Sequence, residues 1–175
     1  MEKTSKLSKV FSSLALLSGA LWLGAYIERL FITFMLFKKE GLILKDYVND
    51  NNLPGILTTI SPAVLLTFIF YIVLIICFTL FLIISKISFK RNGWLFIITI
   101  LIYITLPFEA YLMTFDYKMI VEILSGGQNS GYLLGLIIDR SRLLSGFPVI
   151  IIFSYLAIPF FLVFKPFTLK TKNEN

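Results

Sequence analysis

At 175 residues with 58% of them hydrophobic, only 15% charged and a mean hydropathy of +0.89, the chain carries more apolar surface than a soluble domain of its size can bury. The net charge of +6 does not point to nucleic acid, because the basic residues cap apolar runs instead of forming a patch with interleaved aromatics. Histidine is absent and Cys77 is the only cysteine, which excludes a disulfide within this sequence and removes the commonest general base, haem ligand and zinc ligand, so no cofactor or metal is expected.

Four runs are long and apolar enough to cross a bilayer, whose hydrocarbon core of about 30 Å takes roughly 20 helical residues. They cover 10–37, 56–84, 94–115 and 143–164. None alternates with a period of two, and only helices satisfy their own backbone in lipid without closing a barrel. The expected fold is an all-α membrane protein: a four-helix transmembrane bundle forming one domain over 1–175, with short helical elements in the two outer loops.

The first run follows Lys3, Lys6 and Lys9 and contains Ser18, Gly19 and Ala20, a signal-peptide-like combination. It continues to Phe37 with only Glu28 and Arg29 intervening, so it reads as an uncleaved span. At helical spacing Ala20, Gly24 and Glu28 share one stripe and Ala15 and Gly19 a neighbouring one. Small residues four apart let a second helix approach closely, so these four small residues are the expected helix-packing face, with Glu28 on it. Arg29 lies about 100° round and is expected to snorkel toward the outer headgroups.

The first outer loop, 38–55, has apolar Leu42, Ile43, Leu44, Tyr47 and Val48 before a string of Asn and Asp and then Pro54-Gly55. A short interfacial helix followed by a turn is expected. Asp46 and Asp50 do not match calcium-loop spacing. The second run carries no charge and is expected to be the most lipid-exposed helix. The short basic turn at 86–93, followed by Trp94, marks a cytoplasmic interface.

The third run holds Pro107 and a second intramembrane acid, Glu109, on one stripe with Thr105 and Asp116. The second outer loop, 116–142, centres on Gly126 and Gly127, with helical extensions expected on both sides. The segment 132–142 is either re-entrant or the first turns of a fourth helix bent at Pro148. It ends in Arg140 and Arg142. Trp22, in mid-span, is expected to pack between helices.

Lysine and arginine flank the inner segments (Lys3, Lys6, Lys9, Lys86, Lys90, Arg91, Lys165, Lys170, Lys172) more heavily than the outer ones (Lys38, Lys39, Lys45, Lys118, Arg140, Arg142), which places both termini on the cytoplasmic side of the membrane. Glu28, Arg29, Glu109, Asp116, Arg140 and Arg142 then converge on the outer rim. Two readings of that cluster compete. As a charge-paired lock it belongs to a non-catalytic integral subunit, assembly factor or scaffold of a larger complex, whose partners are the bilayer and other membrane subunits or further copies of itself. As a pair of protonatable carriers, Glu28 and Glu109 belong to a proton- or ion-coupled channel or carrier acting as an oligomer. Nothing pairs a nucleophile with a base, and Gly126-Gly127 lacks the context of a phosphate loop, so no enzyme is expected.

Overall fold

The computed structural model describes residues 5–38, 41–127, 129–143 and 146–169. These form five helices and no strand: α1 (Lys6–Leu36), α2 (Leu53–Ser85), α3 (Gly93–Leu124), α4 (Ser130–Leu143) and α5 (Phe147–Phe164). All but α4 are long and apolar enough to cross a membrane. The chain is an all-α integral membrane bundle.

Local chemistry sets most of the boundaries. Ser5 caps α1 by accepting a hydrogen bond from the Ser8 amide at 3.1 Å, so α1 starts before the apolar run does. Pro54 in the first turn of α2 needs no amide partner, and α2 ends on Lys86 in the left-handed conformation (φ +51°). At the other end of α3, Gly126 turns left-handed (φ +74°) and the Gly127 amide closes on the Glu122 carbonyl at 3.0 Å. Asn129 then opens α4 by accepting from the Tyr132 amide at 3.0 Å. Tyr117 to Leu124 thus continue α3, and the far side of the glycine tip is a separate helix, with Pro148 in the first turn of α5. Gln128, at the tip, lies outside the described residues, as does the polar tail from Lys170 onward.

The first outer loop departs from expectation: the described residues between 41 and 52 contain no helix. The chain turns at Gly41 (φ +85°) and folds back on the end of α1, Lys38 donating to Ile43 O at 2.8 Å and Lys45 to Leu36 O at 2.9 Å. The Asn49 side-chain oxygen accepts from the amides of Asn51 and Asn52, and the Asn52 side chain donates to Tyr47 O. Such local side-chain bonds offer the backbone an alternative to a helix.

At the opposite end, called inner below, the α2–α3 turn is tied to the chain leaving α5. Gly93 N donates to Phe167 O at 3.2 Å and Leu169 N to Arg91 O at 3.0 Å. A Cβ on Gly93 would lie 2.7 Å from Phe167 Cβ and 3.0 Å from its carbonyl oxygen, so this approach requires glycine.

The widest helix interface is α1 against α2. The buried positions of α1 follow a seven-residue repeat, Ser8, Ala15, Ser18, Trp22, Ala25, Arg29 and Leu36, with Tyr26 beside it. With so much of α2 covered, it is α5 that meets the surroundings most, only Ile151 and Tyr155 being buried in it. This corrects the expectation for the second span.

Two apolar cores result. The inner one gathers Ala15, Trp22, Tyr71, Leu74, Phe78, Leu95, Ile98, Ile102, Ile151 and Tyr155 from the four long helices. The outer one gathers Leu36, Phe37, Val48, Leu57, Ile60, Val64 and Met119 with Leu133, Leu136 and Ile137 of α4. Between them lie the buried polar residues Arg29, Thr67, Thr105, Glu109 and Asp116.

Candidate functional site

Helix length gives the depth of this polar belt. The 33 residues of α2 and 32 of α3 measure about 50 Å at 1.5 Å per residue, well beyond the roughly 30 Å of hydrocarbon. Counting roughly 20 residues from the inner ends of α1, α2 and α3 arrives within about a turn of Arg29, Thr67 and Asp116. For a hydrocarbon slab that starts at these inner ends, the belt falls at its outer limit, and the outer core lies farther along the helices.

At the centre of the belt is Asp116, 2% exposed. Its Oδ1 accepts from Arg29 Nη2 at 2.6 Å, and Arg140 Nε lies 3.0 Å from the same oxygen, close enough for an ion pair although its N–H is not aligned for a hydrogen bond. One carboxylate thus ties α1, α3 and α4 together. Arg29 does not snorkel. It is held inside, 5% exposed, because Asp116 offers a partner that the headgroups would have to better. Arg140 also stacks over the Tyr26 ring, with Cζ 5.7 Å from its centroid. Burial works against its charge, but Asp116, Tyr26 and Glu109 outweigh that and raise its pKa above the ordinary guanidinium value.

Glu109, 2% exposed, is an electrostatic neighbour of Arg140, Asp116, Tyr26 and Arg29. Among the described residues its Oε1 makes no hydrogen bond, and neither do the buried hydroxyls of Tyr26 and Tyr71 or Arg29 Nη1. Below it Trp22 packs against three tyrosines, its ring centroid 5.1 Å from Tyr26, 5.1 Å from Tyr71 and 4.5 Å from Tyr155. The Tyr155 hydroxyl reaches Thr105 Oγ1 at 3.5 Å. No group of three potential metal-ligating side chains occurs among the described residues.

Of the six charged residues expected at the rim, the fold brings four together: Arg29, Glu109, Asp116 and Arg140. Arg142 is exposed, two positions beyond Arg140 on α4. Glu28 is also exposed and makes no ion pair among the described residues. The stripe expected to pack, Ala20–Gly24–Glu28, is not the packed one. Trp22 and Arg29 set the buried face about 150° away, since the large ring and the guanidinium have most to gain from the interior. Ala20 and Gly24 are exposed and look onto a groove between α1 and α5. Ala15 and Gly19 do turn inward, a Cβ on Gly19 falling 3.5 Å from Leu74 Cδ1. Tyr26 and Tyr155 escaped the sequence reading. For Tyr155 the signal was position, since tyrosine in mid-span departs from its usual place at the interface.

No protein-family model matches this chain, and no curated protein or solved structure shows significant similarity to it.

Proposed function

We propose that the protein is a non-catalytic integral subunit or scaffold of a larger membrane assembly, with α1 as its docking helix. The observation that carries this reading is Glu28, a carboxylate exposed on a spanning helix at the level of the belt and without an ion-pair partner among the described residues. Ionisable side chains at such depth ordinarily face protein and pair. Leu17, Leu21, Phe31 and Met35 share the exposed stripe with Glu28 at spacings of three, four and seven, the pattern of a helix seam. The Arg29–Asp116–Arg140 lock supports the same reading, because it fixes the register of the helix that presents this stripe. A photo-crosslinking residue at Phe31 in native membranes should give one adduct of defined mass, with a partner or a second copy, that disappears in Glu28→Gln. The same residue at Ile150 of α5 should give none. Absence of any adduct at Phe31 would end the proposal.

A second reading, proton- or ion-coupled transport by an oligomer, is supported at Glu109, where a buried carboxyl oxygen and the buried hydroxyls of Tyr26 and Tyr71 lack hydrogen-bond partners among the described residues. Glu28 is not one of these groups. Proteoliposome flux that Glu109→Gln abolishes would favour this reading over the first.

A further inference from the structure

A cavity of about 940 Å³ opens on the outer side of the belt, between the end of α1, the returning loop, the end of α4 and the start of α5. Its cationic lining is Arg29, Lys38, Lys45, Arg140 and Arg142. Lys38 pairs with exposed Asp46, and the two buried arginines have Asp116 and Glu109 beside them. Lys45 and Arg142 make no ion pair among the described residues, and Arg29 Nη1 is buried without a hydrogen-bond partner. The cavity therefore holds an excess of positive charge and at least one unsatisfied donor on its lining side chains. Tyr26, Thr33 and Ser141 add hydroxyls, and Leu30, Phe34 and Pro148 make the remaining wall apolar.

Its depth is that of lipid headgroups, because Arg29 and Asp116 mark the hydrocarbon limit. Next along α1 toward the inner end, the groove between α1 and α5 begins. It has a volume of about 620 Å³ and is lined by small residues of α1, Ala15, Gly19, Ala20 and Gly24, facing Ile158 and Leu162 of α5. A basic, hydroxyl-bearing cavity at headgroup level over an apolar groove matches one kind of molecule in charge, polarity and order.

We propose that this surface binds a phosphate-bearing anionic lipid, the phosphate among Arg29, Arg140, Lys45 and Arg142 and an acyl chain along the α1–α5 groove. The chemistry recognised is a phosphate with at least one formal negative charge, and the groove assigns it to a lipid in preference to free phosphate. Basic side chains at a membrane surface contribute roughly five-fold each to anionic-lipid binding, so removing both Lys45 and Arg142 weakens it roughly 25-fold. Neither side chain belongs to the Asp116 lock.

The test is native mass spectrometry of the full chain from nanodiscs of phosphatidylcholine doped with phosphatidic acid, with thermal unfolding of each variant as the folding control. The wild type is expected to retain phosphatidic acid in preference to phosphatidylcholine. Lys45→Gln with Arg142→Gln should lose that preference at unchanged melting temperature, and added inorganic phosphate should not restore it or displace the lipid. Gly24→Leu, which has open space around its Cβ, should fill the groove and lower retention with the basic residues intact. Equal retention of the two lipids by the wild type, or a preference surviving the double substitution, overturns the proposal. Displacement by inorganic phosphate overturns its lipid half and reassigns the cavity to the free anion. Retention unaffected by Gly24→Leu removes the groove from it.

Discussion

The core around Trp22 and the core around Leu136 use the same residue types in different solvents. Within the hydrocarbon, lipid tails are as apolar as leucine, so burying Leu74 or Ile98 gains close packing and little else. The other core includes a helix too short to span, and where Leu133, Leu136 and Ile137 leave water to cluster with Ile60 and Val64 their burial gains the hydrophobic effect. The inner core accordingly relies on shape, a tryptophan wedged among three tyrosines. The outer one is an ordinary small core closed by a short helix whose exposed positions mix Asp139 and Arg142 with Tyr132 and Leu143. The belt between them is where a charge can be buried in protein yet remain near water.

The largest expected effect comes from the belt itself. Asp116→Ala leaves two buried guanidinium groups without their anion and should cost about 3–5 kcal/mol, seen as a steep loss of thermal stability in mild detergent. Replacing all three members by apolar side chains of similar volume (Arg29→Met, Asp116→Leu, Arg140→Met) should restore most of it. If the triple variant stays as unstable as the single one, the belt does more than hold the helices. Next, Leu136→Ala should cost about 2–4 kcal/mol and act on the outer core alone, exposing the 125–131 tip and α4 to protease while the spans stay protected. Equal protection of α4 and the spans would show the two cores to be one cooperative unit.

Gly93→Ala should cost about 1–3 kcal/mol, because its methyl group would collide with Phe167, and should release the segment after α5 to protease. The smallest stability effect is expected from Glu28→Gln, within about 0.5 kcal/mol for the isolated protein, since that exposed carboxylate makes no ion pair among the described residues. Cysteines introduced in a Cys77→Ser background extend the comparison to sidedness: Asn129→Cys should react with an impermeant maleimide from outside intact cells and Arg91→Cys should not.

How much of this was legible in the sequence differed by level. Span number and the helical continuation past Asp116 follow from hydropathy and the glycine tip. The gathering of Arg29, Glu109, Asp116 and Arg140 at one rim follows from their depth along the runs. Rotation about the helix axis did not follow, because lipid-facing and core-facing positions are equally greasy and α1 gives no amphipathic signal. Small residues pointed to Ala20 and Gly24, whereas the packed face is the repeat through Ser18, Trp22, Ala25 and Arg29. The fold of residues 41–52 was also missed. Its apolar residues suited an interfacial helix, and the competing side-chain bonds of Asn49 and Asn52 depend on a turn that composition does not specify.

The contact between Arg29 and Asp116 spans 87 positions, and Arg140 follows later still. At a synthesis rate of about 5–20 residues per second, the first helix waits roughly 4–17 s for its counter-ion to be made. During that interval a newborn guanidinium has to be sheltered by the insertion machinery or by neighbouring headgroups. Completion of the lock therefore waits on the latest-made of its segments, and a ribosome halted before Asp116 leaves an early helix without its counter-ion.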